Sequence, residues 1–309
     1  MFGKFKYILH PFKTISDIIN SQDGAAISLL RQNIFEQKAS FLTDKTLYSV
    51  EKGVSANKQC NDEIIVSLTS YGKRIHEVYL AIESIMQGSI KPNRIVLWLS
   101  EAEFLGKILP QTLQNQTKRG LEIHFCKDYR SYKKLIPSLQ SYPKASIITI
   151  DDDLIYNFDL VENLVNAHKT NSDCIWANRI HEITYNKDKT IAPYLQWKMR
   201  VNNESRQQKN NFFTTGGGVL FPPKSLPEET LNEDVFMKIC PTADDIWFNA
   251  MARLKGTIIQ KSFTHSTYGD DFIVNINQQA DGLYALNTNP KNCQNDIQLK
   301  AVFEKYGLT

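Results

Sequence analysis

Residues 146–153 constrain the fold more than any other stretch: Ser146-Ile147-Ile148-Thr149-Ile150 runs straight into Asp151, Asp152 and Asp153. An apolar, β-branched run closed by polar residues fits a buried strand. The acids then stand at its carboxyl end, where open α/β sheets bind their ligands. Carboxylates crowded at one point repel one another, and a divalent cation relieves the repulsion. All-oxygen donors favour Mg²⁺ or Mn²⁺ over zinc, and Mg²⁺ usually takes one or two carboxylates plus substrate phosphates. The competing reading is a solvated acidic turn that caps the following helix, because Asp is a good N-cap.

The surrounding pattern alternates strands and helices from Glu63 onward, which implies a mainly parallel sheet covered on both faces. Strands are predicted over 64–69, 94–99, 121–126 and 257–262. Between them, Val78, Ala81, Ile82 and Ile85 share one stripe of a helix that stops near Gly88. A further helix is predicted from Glu103 to Thr117, and another opens at 128–134. Adjacent residues of a helix lie about 100° apart, so Lys133 and Lys134 are not expected to face the same pocket. Neither G-x-G-x-x-G after the first strand nor G-x-x-x-x-G-K-[ST] occurs, which removes the dinucleotide fingerprint and the P-loop.

A chain of 309 residues with 42% hydrophobic content buries a substantial core, enough for one large domain or one domain with an appendage. A net charge of +3, with no Lys/Arg tract of five or more, argues against a nucleic-acid surface. Five cysteines, odd in number and never paired as C-x-x-C, argue against a disulfide framework and a structural zinc site and fit a cytoplasmic setting. No stretch approaches the roughly 20 apolar residues that span a bilayer, and the amino terminus lacks a signal-peptide core. The leader does carry Phe5, Ile8, Leu9, Phe12, Ile15, Ile18 and Ile19 at three- and four-residue steps beside Lys4, Lys6 and Lys13. Such a segment either touches an anionic membrane surface peripherally, at the inner face of the cytoplasmic membrane, or packs on its own domain. Residues 40–61 read as a connector. The expected division is a helical N-terminal extension over 1–62 and a main domain over 63–309. That domain comprises a nucleotide-binding half (63–153), an acceptor-side half (154–270) and a tail (271–309).

Taken together, the first strand with its polar loop, the acidic strand end Asp151-Asp152-Asp153, the run Gly216-Gly217-Gly218 and the segment Ala243-Asp244-Asp245-Ile246-Trp247-Phe248 resemble the GT-A fold of nucleotide-sugar glycosyltransferases. The likeness spans about residues 63–270 and is most similar to family 2 and related bacterial transferases of cell-envelope polysaccharides, such as lipopolysaccharide or capsule. It implies a Rossmann-like, mainly parallel α/β sheet flanked by helices. A nucleotide-sugar donor, UDP-sugar before others, a glycan or lipid-linked acceptor and a Mn²⁺ or Mg²⁺ cofactor are likewise implied.

By that resemblance Asp153 is the direct metal ligand and Asp151 the nucleotide-side residue, with Asp152 either taking part or turned into a structural hydrogen bond. A cation across the donor phosphates stabilises the charge that grows as the glycosidic bond breaks. Thr69, Tyr71 and Arg74 stand where such enzymes hold base and ribose; Tyr71 is suited to stacking and Arg74 to bidentate phosphate contact, the alternative being ordinary loop chemistry. Lys133 or Lys134 is a candidate phosphate contact. In inverting members the second acid at the later helix start is the general base, here Asp245, with Asp244 beside it. Thr242 and Asp245 also fit a capping box. His265 corresponds to a further metal ligand in many members, although a lone His is commonly an ordinary hydrogen-bonded residue.

The three glycines, with Gly217 in their centre, imply close backbone approach, which a donor sugar would supply. Trp176, His181, Tyr185, Tyr194 and Trp197 alternate with Asn178, Arg179, Lys198 and Arg200, either as a sugar-binding face or as a satellite core. The amide-rich tail ends in a short helix near 297–306 and is a candidate cover for the donor. Two rivals stand beside sugar transfer: a Mg²⁺-dependent phosphatase or nucleotidyltransferase using Asp151 and Asp153, and a non-catalytic sugar-binding protein. A haloacid-dehalogenase-type phosphatase fits poorly, since its D-x-D belongs on the first strand and here lies mid-chain.

Overall fold

The computed structural model describes residues 24–202, 208–266, 271–275 and 286–308. The amphipathic leader therefore lies outside the described residues, as do residues 276–285 of the amide-rich tail. The first element among the described residues is the long helix α1 (Gly24–Tyr48), followed by β1 (Ile64–Thr69), a 3-10 turn (Gly72–His76) and α2 (Val78–Met86). Next come β2 (Arg94–Ser100), the short helices α3 (Glu101–Phe104) and α4 (Gln111–Thr117), and β3 (Leu121–Cys126). A 3-10 turn (Arg130–Lys134) leads into α5 (Ile136–Ser141) and β4 (Ser146–Thr149). Beyond it lie β5 (Leu154–Tyr156), α6 (Leu160–Thr170), β6 (Ile175–Ala177), β7 (Ile180–Glu182), β8 (Asn211–Phe213) and β9 (Val219–Phe221). The chain continues through α7 (Glu233–Ile239), α8 (Asp244–Lys255), β10 (Ile259–Lys261), β11 (Phe272–Val274) and α9 (Gln294–Tyr306).

Seven strands form one sheet in the order β10-β6-β9-β4-β1-β2-β3. β1 lies parallel to both β2 and β4, β2 is parallel to β3, and β6 is parallel to β10; β9 runs antiparallel between β4 and β6. This is the expected α/β class, a mainly parallel sheet flanked by helices. Alternation along each strand divides the core in two. Ile65, Val96 and Ile147 face a cluster that holds Tyr132, Trp247 and Phe248. Ile64, Val66, Ile95, Leu97 and Ile148 face the other, with Val78, Ala81, Ile82 and Ile85 of α2 and Leu164 and Val165 of α6. Runs apolar at every position are what a strand buried on both faces requires.

Three expectations need correction. The predicted helix over 103–117 is broken into α3 and α4, because Gly106 adopts φ +77° and Pro110 starts the second piece as its N-cap. Residues 40–48 belong to α1 rather than to a connector: Phe35 and Leu42 are buried, and Thr43 Oγ1 lies 2.9 Å from Tyr79 Oη. The helix expected to open at 128–134 is a 3-10 turn, with Pro137 near the start of α5 behind it.

α1 is tied down by a buried polar network. Arg119 Nη1 donates to Glu83 Oε2 at 2.8 Å, while its Nε donates to Glu51 O at 2.7 Å and Thr46 Oγ1 donates to Glu83 Oε2 at 3.1 Å. Arg119→Met leaves Glu83 buried without its counter-charge, a loss worth about 3–5 kcal/mol. Denaturant unfolding should show a lower midpoint by that amount; an unchanged midpoint would mean that the network contributes nothing to stability.

Candidate active site

β4 delivers Asp151, Asp152 and Asp153 to the carboxyl end of the sheet, and each meets a different neighbour. Asp151 Oδ1 pairs with Lys134 Nζ, and its backbone N–H donates to Tyr156 Oη at 2.8 Å. Asp152 accepts Ser70 Oγ at 2.6 Å and Arg74 Nη1 at 2.9 Å, and its side chain is buried. Burial, opposed by Arg74 and assisted by Asp153, pushes its carboxyl up to about 6. Asp153 Oδ2 lies 3.2 Å from the same guanidinium nitrogen, and burial together with Asp151 raises its carboxyl as well.

The second acid pair starts α8. Asp245 Oδ1 accepts both the backbone N–H of Thr215 at 2.7 Å and its hydroxyl at 2.6 Å. Asp244 Oδ2 lies 3.3 Å from Lys134 Nζ. Burial, then the neighbouring Asp244, push the Asp245 carboxyl up to about 6 against the pull of Lys134 and Thr215. Burial alone would depress the ammonium of Lys134; Asp151, Asp244 and Asp245 reverse this and hold it charged. No capping box forms. The N-cap is Ala243, without a side-chain cap, and Thr242 Oγ1 is engaged with Asn287 and Gln298 instead.

Both acid groups open into one cavity of about 750 Å³, lined also by Thr69, Tyr71, Arg74, Lys133 and Lys134. The chain thus joins the two clusters through a buried Lys134 and Thr215. Sequence reasoning missed Thr215, whose only signal was its place beside the glycines, and it expected one of the two lysines to turn away. Both line the cavity: they point apart, as neighbours on the turn must, but the carboxylates they reach, Asp128 and Asp151, both belong to its wall. Lys133 pairs with Asp128 and Lys134 with Asp151. Arg74 lies 5.2 Å from the Tyr71 ring centroid, and Thr69 Oγ1 donates to Trp98 O at 2.8 Å.

Gly217 and His265 are not among the lining residues. The imidazole of His265 lies 2.5 Å from Asp159 Oδ2, beside the start of α6, and its backbone N–H donates to Asp271. It is thus held by Asp159, before α6, and by Asp271 of its own loop. The close approach at the glycines is made by the protein: a Cβ on Gly216 would strike the carboxylate of Asp151, and one on Gly217 would crowd Arg179. Tyr194 and Trp197 each pack edge to face on Phe212 as core and lie tilted against one another, with Tyr194 and Phe212 also reaching the cavity wall. Trp176 is buried in the other core cluster, whereas Tyr185 is exposed.

Gly216→Ala is expected to displace Asp151 from Lys134 at an overpacking cost of about 1–3 kcal/mol. Thermal unfolding and a donor-binding titration together check this; wild-type values in both would mean that the site tolerates the methyl group.

The donor set suits a hard cation. Asp151, Asp152, Asp153, Asp244 and Asp245 line the cavity, and the ion pairs made with them among the described residues come from Arg74 and Lys134. Negative charge therefore remains at the strand end, on oxygen atoms. Among the described residues no group of three or more His, Cys, Asp or Glu side chains converges on one point, so a cation here would rest on one or two carboxylates and draw its other ligands from substrate and water.

No family model matches the chain, and no curated protein matches it. Solved structures do. A mannosyltransferase from Pyrobaculum calidifontis, in complex with GDP-Man and Mn²⁺, shares 11% identity at TM-score 0.43 over 78% of this chain and 67% of that one. A CMP:2-keto-3-deoxy-manno-octonic acid synthetase complexed with CTP shares 11% identity at TM-score 0.40, covering 69% of this chain and 93% of that one. An inositol-1-phosphate CTP transferase from T. maritima shares 13% identity at TM-score 0.41, covering 82% and 100%.

Proposed function

We propose that the chain is a metal-dependent glycosyltransferase of the inverting type, moving a sugar from a nucleotide donor to a glycan or lipid-linked acceptor in bacterial surface-polysaccharide synthesis. One observation carries this reading: the acids at the end of β4 and those at the start of α8 line a single cavity and share Lys134. In this reading Thr69 and Tyr71 hold the nucleotide base and ribose, Asp153 with Asp151 holds Mn²⁺ or Mg²⁺, and Lys134 fixes Asp151 in place. When bound, the cation supplies positive charge to the leaving diphosphate. Asp245 takes the proton from the acceptor hydroxyl, and the hydrogen bonds from Thr215 orient its carboxylate for that role. A carboxyl raised to about 6 is a better proton acceptor than an ordinary aspartate and is still ionised at neutral pH.

Nucleotidyl transfer is the second reading, supported by buried Lys134 and Arg74, cations suited to triphosphate oxygens. A panel of UDP-, GDP- and CDP-sugars and nucleoside triphosphates, titrated with and without Mn²⁺, tests both. Sugar transfer predicts metal-dependent nucleotide-sugar binding and slow hydrolysis of the donor. Pyrophosphate release from a triphosphate and a sugar phosphate would favour the second reading. Absence of any metal-dependent nucleotide binding would remove both.

A further inference from the structure

Arg179, His181 and Arg200 all line the same cavity, on the flank away from Thr69 and Tyr71. In the sheet, β6 lies beyond β9 from β4, whereas β1 lies on the opposite side of β4. Arg179 stands two residues beyond the end of β6, and His181 lies in β7 just after it. The backbone N–H of Arg200 donates to His181 Nδ1 at 3.0 Å. A neutral imidazole that accepts at Nδ1 carries its proton at Nε2, so this ring offers the cavity a donor. Burial, then Arg179, then Arg200 hold the imidazole down to about 3, which keeps it neutral at physiological pH. Arg179 Nε is fixed by Thr214 Oγ1 at 2.5 Å, with its guanidinium 5.0 Å from the Phe272 ring centroid.

Two guanidiniums and an imidazole N–H form a wall rich in donors, which binds an oxyanion more strongly than a neutral hydroxyl. The acid clusters of the cavity lie at the end of β4 and the start of α8, where Arg74 and Lys134 take up part of their charge, and the lining carboxylates Glu103 and Asp128 lie in α3 and after β3. Resting on the glycosyltransferase reading, we propose that the acceptor carries an anionic group, a phosphate monoester or a carboxylate, seated by Arg179, His181 and Arg200 while its hydroxyl faces Asp245. The two sources share one chemistry, an oxyanion held by charged donors.

The test measures binding of hexose 6-phosphate, hexuronate and neutral hexose to wild type and to Arg200→Gln, with and without saturating nucleoside diphosphate and Mn²⁺. Arg200 is exposed, so the substitution spares the core. Wild type should bind at least one anionic sugar about tenfold or more tightly than the neutral one, a difference of about 1.4 kcal/mol. Arg200→Gln should lose that preference and Arg200→Lys should keep part of it. The phosphate and carboxylate arms show which source fits. Equal binding of neutral and anionic sugars, or an undiminished preference in Arg200→Gln, overturns the inference. Nucleoside diphosphate binding is read separately: its failure counts against sugar transfer, and its success beside an absent anion preference counts against the anionic acceptor alone.

Discussion

Asp245→Asn should reduce kcat by about 10²–10⁴-fold, the usual contribution of a positioned general base, while leaving donor affinity little changed. Asn is nearly isosteric, and its carbonyl oxygen can still accept the Thr215 N–H and hydroxyl that hold Asp245 Oδ1. Only the capacity to take a proton is lost. The pH profile separates this role from a structural one. Because the Asp245 carboxyl is raised to about 6, kcat/KM in the wild type should be full above pH 6 and fall tenfold per unit as pH drops below it. Asp152 titrates in the same range, so the comparison with the variant assigns the limb: it should flatten in Asp245→Asn if Asp245 is the base. Stability should move the opposite way. A carboxyl raised on folding costs stability above its folded pKa, and that cost fades as pH falls toward its unfolded value. Asp245→Asn is therefore expected to unfold at a higher temperature than wild type at pH 7. Full transfer activity in this variant would return Asp245 to a purely structural role.

Asp153→Ala should abolish the response of nucleotide-sugar affinity to Mn²⁺, with a loss of at least about tenfold at saturating metal, since weaker perturbations of outer-shell groups already cost 10–100-fold. The variant should fold, because Arg74 retains Asp152 at 2.9 Å when its 3.2 Å contact with Asp153 is removed. Calorimetric titration of the donor with and without Mn²⁺ reads this directly. Equal metal dependence before and after the substitution would remove Asp153 as a ligand and move the cation, if any, to Asp151.

The apolar runs Ile64 to Thr69 and Ser146 to Ile150 were sufficient to place two buried parallel strands, because burial on both faces calls for near-continuous apolar residues. The same local pattern put Asp151, Asp152 and Asp153 at a carboxyl end and Asp244 and Asp245 at a helix start, and the motif order linked them to one cleft. What the pattern could not hold was which side chain joins them. Lys134 reaches Asp151 and Asp244 because folding brings the turn Arg130–Lys134 beside the end of β4 and the start of α8, segments distant from it in the chain. Thr215 meets Asp245, and Thr242 meets Asn287 and Gln298, through contacts between segments far apart in the chain. His265 is held by Asp159 for the same reason: a long-range hydrogen bond, invisible to periodicity, decides where an imidazole points. Hydrophobic periodicity is a local property and fixed the strands and their acidic ends; the pairing of charges across the cleft depends on loop geometry and was settled only when the chain closed on itself.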